Sequence, residues 1–66
     1  MIVSAVATIY EEAGRENLKQ CIEILGGHPI VDGTSVGVDF TGSPKSCEKF
    51  IELFEQFPKH NITTIS

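Results

Sequence analysis

The spacing of apolar residues along the chain switches between a period of two and a period near 3.6, and the switches predict six elements. Residues 2–10 alternate as a strand, with Val3, Ala5, Ala7 and Ile9 on one side and Ile2, Ser4, Val6, Thr8 and Tyr10 on the other. The first set is assigned to the core, because its alanines let helices approach a sheet closely. Leu18, Cys21, Ile22 and Leu25 then recur at i, i+3, i+4 and i+7, which predicts a helix over residues 15–25. Gly14 reads as the break before it. Gly26-Gly27 supplies a left-handed end, and Pro29 prevents resumption.

Two short strands are expected next, at residues 29–32 and 35–41. Asp32-Gly33 is read as the turn between them, because glycine accepts positive φ at little cost. Val36, Val38 and Phe40 alternate with Ser35, Gly37, Asp39 and Thr41, the pattern of a half-buried strand. A second helix is predicted over residues 44–57. Ser43 is placed to accept from the first-turn amides, and Pro44 occupies the first helical position, where a missing N–H costs nothing. Cys47, Phe50, Ile51, Phe54 and Phe57 form its stripe, Pro58 ends it, and the β-branched residues 62–65 close the order as a last strand.

Strand, helix, two strands, helix, strand is the element order of an α+β ferredoxin-like βαββαβ sandwich. Right-handed crossovers and the central hairpin lead to one four-stranded antiparallel sheet, order 4-1-3-2, with two helices on one face. That leaves one sheet face without a cover. Ile2, Val6 and Tyr10 belong to it and are more apolar than a wetted face requires. One of Ile62 and Ile65 must join them, being three apart on a period-two strand. Asp39 projects from the same face, near Ser4 or Thr8. Ile2, Val6, Tyr10 and Asp39 are therefore the candidate interface, and a second copy of the chain is the expected partner.

Size supports that expectation. A single domain of 66 residues buries only about 60% of its unfolded surface, so a partner is a ready source of stability. Composition sets further bounds. Nine acidic residues stand against five basic, a formal charge of −4, and this field opposes nucleic acid, whose binding relies on Lys and Arg neutralising phosphates. The third strand also lacks stacking aromatics on its uncovered side, so RNA recognition through a sheet is not expected. No apolar run approaches the roughly 20 residues of a membrane span. No basic stretch precedes residues 2–7, so a signal peptide is not expected, and the chain is read as cytoplasmic with reduced thiols.

The chemistry-bearing residues are few. The topology sends His28 and His60 to opposite ends of the sheet, and no H-x₃-H or C-x₂-C spacing occurs, so neither metal nor cofactor is expected. Cys21 and Cys47 sit on the apolar stripes and read as small buried hydrophobes. Glu11 and Glu12 are neighbours on one segment rather than a facing pair, which leaves no catalytic constellation. The one cluster with binding chemistry lies around the start of the second helix. Thr41, Gly42, Ser43, Lys45 and Ser46 present a helix N-terminus, hydroxyls and an ammonium group, with His28 on the adjacent loop. This is the alternative site, for a small anionic ligand such as a phosphate or nucleotide.

Glu12-Ala13-Gly14-Arg15 follows the first strand, with Leu18 after it. In this respect the chain resembles the ACT domain, another βαββαβ module, whose Gly-containing turn stands at this place. The resemblance implies a small-effector sensor that binds at the loop after the first strand. It carries no individual site residue over. The leading expectation remains a non-enzymatic interaction or oligomerisation module acting through the open sheet face or an edge strand.

Overall fold

The computed structural model describes all 66 residues. Its elements are β1 (Ile2–Thr8), α1 (Glu12–Ile24), β2 (Ile30–Asp32), β3 (Ser35–Thr41), α2 (Pro44–Glu55) and β4 (His60–Ile65). They form one antiparallel sheet in the order β2-β3-β1-β4, with β1 and β3 central and β2 and β4 at the edges. The expected ferredoxin-like α+β sandwich and its strand order are therefore observed.

Alternation on the central strands explains why both helices occupy one face. Val3, Ala5 and Ala7 of β1 and Val36 and Val38 of β3 are buried, and they meet Leu18 and Ile22 of α1 and Cys47, Phe50 and Phe54 of α2 in one core. All ten residues of this core are apolar, and no polar or charged residue is buried with them. Phe40 packs on Phe50 with ring centroids 4.6 Å apart and planes tilted by 38°, a separation within the range of interacting aromatic pairs. The small Ala5 and Ala7 leave room for this layer of larger side chains.

α2 begins as its sequence dictates. Ser43 is extended, its Oγ accepts from the Ser46 amide at 3.2 Å, and Pro44 follows it into the first turn. α1 begins three residues earlier than its apolar stripe suggests. Gly14 is not a break but a first-turn residue of the helix, and a Cβ there would stand 2.8 Å from Ile9 Cγ2. The residue is small because the helix passes close to the end of β1. Arg15 holds this junction by donating from Nη1 to the carbonyls of Ile9 (2.8 Å) and Tyr10 (3.1 Å).

Other boundaries also shift. β1 stops at Thr8, two residues short of the alternating run, and β4 starts two residues before its β-branched segment. The hairpin turn lies one residue later than expected. Asp32 pairs with Ser35, so Gly33 and Thr34 are its central residues. Gly33 has φ +61°, which suits the first central position of a type II′ turn. Gly26, at φ +92°, ends α1 in the left-handed conformation that the paired glycines promised.

Candidate functional site

The open face of the sheet can be built row by row from the strand register. Ile30, Gly37, Val6 and Asn61 lie side by side across the four strands. The next row toward the N-terminal end of β1 is polar, with Asp39, Ser4 and Thr63, and the row after it holds Thr41, Ile2 and Ile65. Four aliphatic side chains thus stand on this face, with exposures of 42% for Ile2, 37% for Val6, 55% for Ile30 and 60% for Ile65. Between them the Ser4 hydroxyl donates to Asp39 Oδ1 at 2.6 Å. This is a short, charge-assisted bond, and it fixes a carboxylate in the middle of an apolar surround.

Ile2, Val6 and Asp39 are brought together as the alternation indicated. Tyr10 is not with them. With β1 ending at Thr8, Tyr10 lies on the loop beyond the sheet, where Lys59 donates to its hydroxyl at 3.0 Å and sits 5.1 Å from the ring centroid. This contact, first through the hydrogen bond and then through charge, raises the Lys59 pKa above its ordinary 10.5. Ile30 was not singled out from the sequence; moving the turn by one residue shifts the pairing by two and brings Ile30 from Ser35 to Gly37. Ile65, rather than Ile62, is the exposed member of its pair, and Ile62 packs against the core.

The loop before α2 is organised by its own contacts. Gly42 extends the β1–β3 ladder by one pair. Its N–H donates to the Met1 carbonyl at 3.0 Å, and its carbonyl accepts from the Met1 amine at 3.1 Å. Ser43 Oγ accepts from the Ser46 amide and donates to Ser46 Oγ at 3.0 Å. Pro44 has no N–H, so Lys45 supplies the first-turn amide that remains, with its exposed ammonium group. Thr41 is exposed at the end of β3, and His28 is exposed ahead of β2, outside the hydrogen bonds of this loop. The cluster is thus a capped helix start in which the Gly42 and Ser46 amides and the Ser43 hydroxyl are already engaged.

The two cysteines differ. Cys47 is buried, with Sγ 3.5 Å from the Met1 carbonyl oxygen. Cys21 is exposed, against expectation. It lies in a groove between the helices with Ile24 and Leu25 of α1 and Lys49 and Leu53 of α2, because the helices do not close over that flank of the α1 stripe. At the other end, Thr8, Ile9, Tyr10, Gly14, Phe57 and Pro58 border a shallow cleft. Glu12-Ala13-Gly14-Arg15 forms helix beside it rather than a turn. His60 opens β4 at this end, where its Nδ1–H donates to the Phe57 carbonyl.

No helix is long and apolar enough to cross a membrane. Comparison with family models, with curated proteins and with solved structures finds no match to this chain.

Proposed function

We propose that the protein is a non-enzymatic interaction module whose open sheet face receives the same face of a second copy. The observation that carries this reading is the grouping of Ile2, Val6, Ile30 and Ile65 around the Ser4–Asp39 pair. Aliphatic side chains on both sides of a polar row make a self-complementary surface under a two-fold axis. Removing them from water contributes about 25 cal/mol per Å² of apolar area. The hydrogen-bonded carboxylate makes an offset apposition costly, because it would then meet apolar side chains, and so it favours one alignment.

Sedimentation velocity of the parent and of Val6→Asp tests the reading. Val6 is on the open face and outside the core, so the variant is expected to keep its circular dichroism spectrum while its assembled mass falls by half. A parent that sediments as a monomer at all concentrations would sink the proposal. So would a Val6→Asp variant that assembles as the parent does.

A further inference from the structure

The two edges of the sheet are protected to very different degrees. The Thr8 N–H donates to the Lys59 carbonyl and the Ile9 N–H to the Thr34 carbonyl, both in step with the strand registers. Antiparallel ladders alternate inward and outward bonding, so β1 bonds to β4 through its even-numbered residues. On β4 the inward residues are then Asn61, Thr63 and Ile65, and the backbone groups of His60, Ile62 and Thr64 point away from the sheet. By the same alternation, the outward positions around β2 are Pro29, which has no N–H, Val31, and Gly33 in the turn. β2 is three residues long and carries Asp32. A short edge strand with a proline and a charge is a guarded one.

β4 has none of these guards. Its six residues, His60–Ile65, contain no acidic residue, lysine or proline, and its register with β1 runs one to one without a bulge. In a chain of net charge −4, this edge strand itself carries no carboxylate, and the acidic side chains nearest it, Glu48 and Glu55, are exposed and share the Ile51 flank of α2. Ile62 and Ile51 are both only partly buried and both pack against the core. Ile51 lies on the flank of α2 away from the interhelical groove, which places it on the β4 side.

From this we propose that β4 pairs antiparallel with β4 of a second copy, joining two sheets into one of eight strands. The two-fold axis passes through Ile62, so Ile62 opposes Ile62 and His60 opposes Thr64 of the other copy. This register uses every outward backbone group of the strand. It also seats the two Ile62 side chains together on the helix-covered side, beside Ile51 of each copy. On the other side, Asn61 meets Thr63. The surface is distinct from the open face, and the pairing does not depend on association there.

Amide hydrogen exchange, read residue by residue at rising protein concentration, tests this pairing. The Ile62 and Thr64 amides are expected to slow by about tenfold or more as copies pair. Thr63, bonded within the chain, stays protected throughout. Thr64→Lys places a charge on an exposed edge position and leaves the β1 ladder intact, so it is expected to abolish the protection of Ile62 while Thr63 keeps its own. Fast exchange at Ile62 and Thr64 at every concentration overturns the pairing, as does protection that survives Thr64→Lys. Val6→Asp separates the two surfaces. If it halves the mass but leaves Ile62 protected, both associations stand. If Ile62 is never protected while Val6→Asp still lowers the mass, the edge fails and the open face remains.

Discussion

Val3 and Val6 stand three residues apart on β1, on opposite faces of the same sheet, and their surroundings share almost nothing. Val3 is fully buried among Ala5, Val38 and the aromatic side chains of α2. Val6 sits between Gly37 and Asn61 with more than a third of its surface exposed. The buried centre of the covered face is uniformly apolar, and His60 and Thr64 lie only at its exposed β4 margin. The open face mixes aliphatic residues with the Ser4–Asp39 hydrogen bond. One face is settled by the chain's own helices, and full burial of a valine there contributes about 1.5–3 kcal/mol. The other face retains that potential for a contact made from outside.

The sharpest way to break the contrast is to empty the covered side. Phe54→Ala removes a fully buried ring and is expected to cost about 3–5 kcal/mol. At roughly 0.05–0.15 kcal/mol per residue for a folded domain, that is much or all of the stability of so small a chain. A urea titration followed by circular dichroism should find the variant unfolded or close to it without denaturant. A finer test exchanges one methyl for a hydroxyl at each valine. Val3→Thr buries a hydroxyl without a partner and should lose about 1–3 kcal/mol. Val6→Thr should stay within about 0.5 kcal/mol of the parent monomer. Equal losses in urea unfolding would show that the two faces are not as different as their burial implies.

The smallest expected effect lies beyond the sheet, at Lys59. Its folded pKa is raised by Tyr10, so its contribution to stability is present below the unfolded value of 10.5 and is lost as the pH climbs through the folded one. Lys59 is fully exposed, and solvent screening keeps the effect small. The difference in urea midpoint between the parent and Lys59→Met should therefore be slight near neutrality and should shrink further above pH 10.5. A difference that grows with pH would contradict the assigned contact.

What could be read from the sequence follows the same division. Burial imposes a period, and the periods of residues 2–8, 35–41 and 44–55 survive intact in β1, β3 and α2. The Ser43-Pro44 start was legible because capping is local chemistry. Gly14 misled because a glycine signals either a break or a close approach, and only the position of Ile9 decides between them. Cys21 misled because it lies on the flank of a helical stripe, where burial depends on how far α2 stands away. Of the candidate interface, Ile2, Val6 and Asp39 followed from alternation alone. Tyr10 did not, because alternation carries no information about where a strand leaves its sheet. The loop at Thr41–Ser46 showed its donors in the sequence but not their commitments, which run to Met1 and within the first turn of α2.

The central place of β1 has a consequence for how the chain comes together. Both of its neighbours, β3 and β4, are supplied by later parts of the chain, and Ile2 pairs with Ile65, far along the sequence. Such distant pairings carry the largest loop-closure entropy and favour slow assembly. β1 is therefore made before either of its sheet neighbours and is completed only by the later of the two. Until β4 arrives, Val3, Ala5 and Ala7 wait beside an unfilled place in the sheet.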